Sequence, residues 1–192
     1  MNTFALRFKT SEEWTNNILD NLDTFLEDHA AAEKKAAGMA ISMASHYPDK
    51  PALVEAMADL AVEEMTHYRE VVKIIHRRGG RTSADTKDDY VGEFRKHFRK
   101  GRDVFFLDRL LVGGIIEARG AERFGLVAEA LEEGPLKTFY KSITRSEERH
   151  LDLFVGLARQ YFSDAEVDER LDQLLDIEAK ITASLPIKVQ LH

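Results

Sequence analysis

Two glutamate–histidine pairs in the chain have the same three-residue spacing, Glu64-x-x-His67 and Glu147-x-x-His150. On an α-helix, residues at positions i and i+3 project from one face, about 5–6 Å apart. A carboxylate and an imidazole at that spacing can bind one metal ion or two adjacent ions. Chance alone predicts roughly one such pair in this chain, so the pairs need support from their surroundings.

A further glutamate precedes each pair by a similar interval. Glu33 lies 31 positions before Glu64, and Glu117 lies 30 positions before Glu147. The midpoint of the first interval falls in the turn sequence YPDKP, and that of the second lies beside EEGP. Folding at these turns brings the two glutamates of each interval to one height, about 23 Å from the turn at about 1.5 Å per residue.

All six side chains lie on apolar helical stripes, so the sequence predicts that they are buried together. Four buried carboxylates repel one another, and two divalent cations would neutralise them. Proton sharing among the acids is the less complete alternative. Four oxygen and two nitrogen ligands favour iron or manganese over zinc or copper.

The remaining histidines and neighbouring acids lack this arrangement. Glu63 and Glu148 point away from the stripes, towards solvent. His29 is interpreted as a support for Glu33 or a surface residue rather than a ligand. The histidines without such surroundings are His46, His76, His97 and His192.

The elements that must position these residues are helices, because long segments have apolar residues at 3.6-residue spacing. A first helix begins near Thr10, where Thr10 and Glu13 form a possible capping box. The other predicted helices cover about 23–46, 52–78, 88–98, 103–131, 136–162 and 164–182, the last capped by Ser163 and Glu166. The predicted fold is all-α, a ferritin-like four-helix bundle of two antiparallel helical hairpins with a long crossover and short accessory helices.

The whole chain, 1–192, is predicted to form one ferritin-like domain. Its core bundle covers about 23–162, its crossover about 79–102 and its C-terminal helix about 164–182. The chain has no cysteine, which excludes disulfides, thiolate zinc sites and iron–sulfur clusters. No apolar run is long enough to span a bilayer, and no secretory signal is evident, so a cytoplasmic protein without a membrane partner is expected. The net charge of −7 disfavours a surface that binds nucleic acid everywhere.

Four stretches closely resemble the MiaE family of tRNA hydroxylases. They are DHAAAEKKAAGMAI (28–41), YPDKPALVEAMADLAVEEMTHYREVV (47–72), RLLVGGIIEARGAERF (109–124) and FYKSITRSEERHLDLF (139–154). The resemblance implies hydroxylation of the isopentenyl group of 2-methylthio-N6-isopentenyladenosine next to the anticodon, using O₂ and two electrons at a di-iron centre. By the ferritin-like pattern, Glu33 and Glu117 would be terminal ligands and Glu64 and Glu147 bridging ligands. His67 and His150 would each bind one iron.

The chain departs from the family pattern near the predicted ligands. Gly120-Ala121 stands where the family often has Ser-Cys, and Ala32 stands where it often has Cys. These differences leave the shape of the substrate pocket open. Small residues either leave room for a five-carbon tail or merely permit close helix packing: Ala30, Ala36, Ala37, Gly113, Gly114, Gly120 and Ala121. The candidate pocket residues are Met39, Met43, Tyr68, Gly113, Phe124 and Tyr140.

The resemblance also implies a tRNA anticodon stem-loop as substrate. Cations in the crossover and beside Glu33 are the candidate phosphate contacts: Lys34, Lys35, Arg77, Arg78, Arg95, Lys96, Arg99, Lys100 and Arg102. An external electron donor such as a ferredoxin or flavoprotein reductase is expected, and no obligate protein partner. The main alternative is a di-iron oxidase or peroxidase acting on a small molecule or on peroxide. Iron storage or a purely structural bundle is a third class.

Overall fold

The computed structural model describes residues 4–192, which fold into α-helices joined by turns and loops. The helices are α1 (Glu12–Asp20), α2 (Leu22–His46), α3 (Pro51–Arg77), α4 (Asp89–Arg95), α5 (Arg102–Ala130), α6 (Pro135–Tyr161) and α7 (Asp164–Ser184). No strand occurs among the described residues, and the all-α prediction is confirmed. Within the same residues, no helix combines the length and apolar character needed to cross a membrane.

The four long helices α2, α3, α5 and α6 each begin and end within one residue of the predicted bounds. The described chain forms two compact units. One contains residues 16–86 and 188–191, and the other contains residues 4–15, 87–187 and 192. Each unit holds one of the predicted hairpins. The single domain over 1–192 stays a prediction.

In the first unit, α2 and α3 form an antiparallel hairpin across the turn at residues 47–50. Pro51 occupies the first position of α3, where its missing N–H leaves no helical hydrogen bond unmade. Gly79 follows α3 with a φ of 81°, a left-handed conformation that favours glycine. Both helices bury an apolar face, formed by Phe25, Leu26, Met43, Leu53, Met57, Leu60, Val71 and Ile75.

In the second unit, α5 and α6 form the other antiparallel hairpin, and glycines on α5 bring the two helices close together. A Cβ atom on Gly113 would lie 2.9 Å from the ring of Phe154. A Cβ atom on Gly114 would lie 3.3 Å from Phe154 Cβ. The space beside both glycines is therefore filled by α6, which supports the close-packing interpretation of these two residues.

The last helix, α7, packs against α5 and α4 in the same unit. The predicted capping box of Ser163 and Glu166 begins it. Two buried charge clusters link these elements. Asp108 accepts hydrogen bonds from Arg170 at 2.8 and 2.9 Å and from Arg99 Nη2 at 2.7 Å. The second cluster joins three buried groups, since Glu178 accepts from Arg119 Nη2 at 2.6 Å and from Tyr90 at 3.1 Å.

The predicted capping box at the first helix is wrong. Helix α1 begins at Glu12, and Ser11 Oγ accepts a hydrogen bond from the backbone N–H of Trp14 at 3.3 Å. Thr10 instead donates its hydroxyl and its backbone N–H to the Glu122 carboxylate, at 2.7 and 3.0 Å. A charged acceptor on α5 makes a stronger hydrogen bond than a local neutral cap does, which accounts for the difference.

Candidate metal centre

The first unit brings Glu33 of α2 together with Glu64 and His67 of α3. Glu33 is 4% exposed and Glu64 is 1% exposed. His67 Nδ1 lies 3.5 Å from Glu33 Oε2 and 3.6 Å from Glu64 Oε2. One donor atom from each residue lies within 4.8 Å of the others. Two carboxylates and one imidazole thus converge within the α2–α3 hairpin.

The second unit repeats this arrangement with Glu117 of α5 and Glu147 and His150 of α6. All three residues are buried. His150 Nδ1 lies 3.7 Å from Glu117 Oε2 and 3.9 Å from Glu147 Oε2. Donor atoms of the three also lie within 4.8 Å of one another. Each hairpin therefore presents one triad of two glutamates and a histidine.

The electrostatics of the first triad are those of a site that attracts cations. Burial raises the pKa of Glu33, and its hydrogen bonds to His29 and His67 offset only part of that effect. Burial alone would lower the pKa of His67, but the neighbouring carboxylates of Glu33 and Glu64 raise it by more, to about 9. The His67 imidazole is therefore protonated at neutral pH when no metal is bound. Positive charge stabilises this group of carboxylates, whether a proton or a metal ion supplies it.

His29 supports Glu33, and the alternative that it lies on the surface is wrong. The side chain is fully buried, and Nε2 lies 2.6 Å from Glu33 Oε1. The ring packs against Phe25, with centroids 6.3 Å apart. An imidazole N–H donated to a carboxylate fixes the orientation of that carboxylate, as seen beside many metal sites. The signal in the sequence was the four-residue spacing between His29 and Glu33.

The donor atoms in both triads suit a metal ion. The nitrogen–oxygen distances of 3.5–3.9 Å are at the long limit of hydrogen bonds or beyond it. Carboxylate oxygen and imidazole nitrogen together suit iron and manganese. The cluster of carboxylates and histidines fits a di-iron site.

The other acids and histidines lie apart from these triads or at their edge. Glu148 is exposed. Glu63 is partly exposed, with Oε1 3.9 Å from His67 Nε2. His46 bonds to the Ser42 carbonyl of its own helix at 2.6 Å. His76 and His97 are exposed, and His192 stacks on Tyr90.

The candidate pocket residues differ in burial. Met43, Phe124 and Tyr140 are fully buried or nearly so, and Phe124 stacks on Tyr140 with centroids 5.7 Å apart. Met39 and Tyr68 are half-buried. Gly113 contacts Phe154, as described above. A Cβ atom on Gly120 would lie 3.6 Å from Glu147 Oε2, an ordinary contact, so a small side chain fits there beside the carboxylate. Their role in binding substrate stays a prediction.

At least five of the nine candidate phosphate contacts are held by groups of the chain itself. Lys34 pairs with Asp85 at 2.8 Å, Lys96 pairs with Glu93 at 2.6 Å, and Arg78 pairs with Asp23. Lys35 donates to the Thr86 carbonyl at 2.8 Å, and Arg99 binds the buried Asp108. The other four members are exposed: Arg77, Arg95, Lys100 and Arg102.

Comparisons with known proteins agree over nearly the whole chain. A family model described as tRNA-(MS[2]IO[6]A)-hydroxylase (MiaE) matches residues 1–192. A tRNA 2-(methylsulfanyl)-N(6)-isopentenyladenosine(37) hydroxylase of Pseudomonas putida is 31% identical over 95% of this chain and 89% of its own length. A protein of the same name from Salmonella typhimurium is 31% identical over 73% of this chain and 51% of its own length.

The solved structures add a similar fold. A Synechococcus protein titled as having aldehyde deformylating oxygenase activity superimposes with a TM-score of 0.92 and is 34% identical. The match covers 97% of this chain and 94% of that one. It confirms the predicted ferritin-like fold class.

Proposed function

We propose, from the premise that this chain belongs to the MiaE family, that it hydroxylates the isopentenyl group of 2-methylthio-N6-isopentenyladenosine next to the anticodon of tRNA, using O₂ and two electrons. The observation that carries this proposal is the family match over residues 1–192 in a chain that has a buried Glu/Glu/His triad in each hairpin. The chain is an enzyme, a tRNA hydroxylase. The use of O₂ as oxidant, the iron ions and the electron donor are proposals.

We propose further that the two triads together bind two iron ions. Glu33 and Glu117 would be terminal ligands, Glu64 and Glu147 bridging ligands, and the two histidines would each bind one iron. Four carboxylates carry four negative charges, and two divalent cations balance them. The repeated geometry in the two hairpins supports equal roles for the corresponding residues.

When bound, the irons would supply the activation of O₂, which no side chain of this chain can perform alone. The protein has three other tasks. It holds the carboxylates in place, as His29 does for Glu33. It limits the access of water by burying the four carboxylates and His150. Its apolar residues, Met43, Phe124 and Tyr140 among them, would contact the hydrocarbon tail of the substrate.

The substrate also requires a surface that accepts RNA. The exposed cations of the predicted set are the candidates for phosphate contacts, among them Arg77, Arg95, Lys100 and Arg102. The electron donor is proposed to be an external ferredoxin or flavoprotein reductase, since the chain has no cysteine for an iron–sulfur cluster of its own. Action on tRNA is consistent with a cytoplasmic location.

The second candidate function is oxidation of a small molecule at the same centre. The Synechococcus neighbour favours it, because that protein is described as having aldehyde deformylating oxygenase activity and is 34% identical to this chain. The family match and the Pseudomonas relative favour tRNA. The dependence of activity on RNA separates the two.

The test is hydroxylation of defined tRNA. The iron-loaded chain, a chemical reductant and ¹⁸O₂ are incubated with tRNA that contains the methylthiolated isopentenyladenosine, and the digested nucleosides are analysed by mass spectrometry. One ¹⁸O atom per hydroxylated nucleoside is expected, with none from the Glu147→Ala variant. Unchanged nucleosides from fully iron-loaded protein, together with turnover of a small aldehyde, would favour the second candidate.

A further inference from the structure

Two aromatic rings lie side by side on the surface where the crossover enters α5. Phe98 of the crossover and Phe105 of the first turn of α5 contact each other edge to face, with ring centroids 5.5 Å apart. Phe105 is 39% exposed, which makes it the most exposed phenylalanine, tyrosine or tryptophan among residues 4–192. Phe98 is partly exposed. We call the pair of Phe98 and Phe105 the aromatic platform.

The loop that carries Phe98 is held in place on both sides of that residue. The His97 carbonyl accepts a hydrogen bond from Arg170 Nη2 at 3.0 Å. The backbone N–H of Arg99 donates to Asp108 Oδ2 at 2.8 Å, and Asp108 is fully buried. Both hydrogen bonds lead to the same buried charge cluster. A surface that is ordered before its ligand arrives loses less conformational entropy on binding.

Cations surround the aromatic platform. Residues 95–102 have the sequence RKHFRKGR, in which five of the eight residues are lysine or arginine. Three of these five, Arg95, Lys100 and Arg102, are exposed, and the other two are held by acids of the chain. Proteins that bind single-stranded nucleic acid combine cations, which contact phosphates, with aromatic rings, on which the bases stack. The segment has both kinds of side chain.

The chemistry of the substrate gives such a surface a use. A buried metal centre can act on a nucleotide only after that nucleotide leaves the stack of its neighbours. A neighbouring base then loses a stacking partner, and an aromatic side chain can replace that partner. Phe105 lies on the same helix as Glu117, twelve residues before it, or about 18 Å along the helix axis. The aromatic platform is therefore a fixed surface on the helix that presents a glutamate of the second triad.

We infer that the aromatic platform stacks on an unpaired base of the tRNA anticodon loop. Every base has a π-face, so the contact would tolerate different bases at that position. Stacking would hold the loop at the start of α5, while the exposed cations beside the platform contact its phosphates. This inference rests on the proposed function, because it takes the anticodon loop as the ligand.

The experiment measures the affinity of the iron-loaded full-length protein for a fluorescently labelled anticodon stem-loop, by anisotropy at several salt concentrations. The test variant is Phe105→Leu, which keeps an apolar side chain and removes the ring. Phe105→Trp keeps a ring at the same position. The matched control is Phe139→Leu, the same change at a partly exposed ring at the other end of the α5–α6 hairpin. Circular dichroism and iron content show that the variants remain folded and loaded.

Phe105→Leu is expected to bind the stem-loop about five- to tenfold more weakly, because stacking on one base contributes at least that much affinity. The slope of log affinity against log salt should stay that of the wild type, since no cation is removed. Phe105→Trp and Phe139→Leu should remain within about twofold of the wild type.

Stem-loops that lack one loop base at a time identify the base that stacks. One abasic position is expected to weaken binding to the wild type about as much as Phe105→Leu does. The same position should cause no further loss in Phe105→Leu, because the two changes remove one contact.

Three results would overturn the aromatic platform: Phe105→Leu within twofold of the wild type, equal weakening in Phe139→Leu, or additive losses at every abasic position. Each of them leaves the proposed function intact if the wild type hydroxylates the tRNA. Failure of the wild type both to bind the stem-loop at low salt and to hydroxylate tRNA overturns both.

Discussion

At the scale of single residues, buried charge is the feature that determines the chemistry of the site. Glu33, Glu64, Glu117 and Glu147 are each no more than 5% exposed. An isolated ionised carboxylate in such surroundings costs several kcal/mol, about 3–5 when a partner is removed. Positive charge offsets this cost in the first triad, where the protonated His67 supplies it when no metal is bound, and metal ions would supply it in a loaded protein.

Removal of a carboxylate that we propose as a bridging ligand should abolish the centre. Glu64→Ala or Glu147→Ala is expected to lower the iron content from about two ions per chain to fewer than one, because the proposed assignment makes each of these carboxylates a ligand of both ions. Iron is measured by plasma mass spectrometry after anaerobic loading. Glu148→Ala is the control, since Glu148 is exposed next to Glu147 and should not change the iron content. Normal iron in Glu64→Ala would contradict the ligand assignment.

Metal binding should release protons and strengthen as the pH rises. His67 has a pKa of about 9 in the metal-free protein and must lose its proton to bind a metal. Between pH 7 and the pKa of His67, apparent affinity for Fe²⁺ is expected to rise about tenfold per pH unit for each proton released. Anaerobic calorimetry in two buffers of different ionisation enthalpy measures the release. Binding heats that do not depend on the buffer would argue against a protonated His67.

The sequence predicted which side chains converge in each hairpin better than it predicted what surrounds them. The two triads could be identified because helical spacing and turn position together fix which residues share a height. The pairing of Arg99 with Asp108 could not be foreseen, because ion pairing between α5 and the crossover depends on tertiary packing. A charge reversal at Arg99 would therefore disturb the fold as well as any RNA contact.

At the scale of elements, helix boundaries were predictable and the ties between helices were not. The bounds of α2, α3, α5 and α6 follow from apolar periodicity, turn sequences and capping residues, all of which are local. Thr10 bonds to Glu122, 112 residues away in the sequence. Arg119 bonds to Glu178, which is 59 residues away. No local pattern specifies such contacts.

Asp108 is expected to stabilise the packing of α5 with α7. Asp108→Asn keeps the shape and removes the charge that Arg170 and Arg99 share, so a loss of about 3 kcal/mol in unfolding free energy is expected. Asp103→Asn, exposed in the first turn of the same helix, should cost less than about 1 kcal/mol. Urea denaturation measures both. Equal effects would contradict a specific role for the buried cluster.

The same cluster should make stability depend on pH. Burial alone would raise the pKa of Asp108. The hydrogen bonds from Arg170 and Arg99 lower it by more, so the pKa lies below its usual value. The stability that Asp108 contributes is therefore fully present above the pKa of aspartate in the unfolded chain, about 4. It is lost as the pH falls through the lower pKa that Asp108 has in the folded protein. The difference in stability between wild type and Asp108→Asn should shrink at low pH. A constant difference from pH 7 to pH 3 would contradict this.

Glycine on α5 should be required by packing rather than by backbone conformation. Gly113→Ala is expected to destabilise the protein by about 1–3 kcal/mol, because its Cβ would overlap the buried Phe154 ring. Gly156→Ala on α6, with no atom within 4 Å of the added Cβ, should stabilise it by about 0.5–1 kcal/mol. Thermal or urea unfolding distinguishes the two. A neutral Gly113→Ala would mean that the ring moves aside and leaves usable space.

At the scale of the whole molecule, the two hairpins repeat one arrangement. Each joins an upstream glutamate to a Glu-x-x-His pair across a short turn, and each buries both of its glutamates. The family match extends over residues 1–192, which include both hairpins, the crossover and α7.

The central claim is that the six side chains bind two irons. Anomalous X-ray diffraction at the iron edge, from crystals of the anaerobically iron-loaded protein, tests it most directly. Two peaks are predicted per chain, each within bonding distance of one histidine and of glutamates from these triads. A map without peaks there, with iron bound elsewhere and the six side chains hydrogen-bonded only to one another, would contradict the claim.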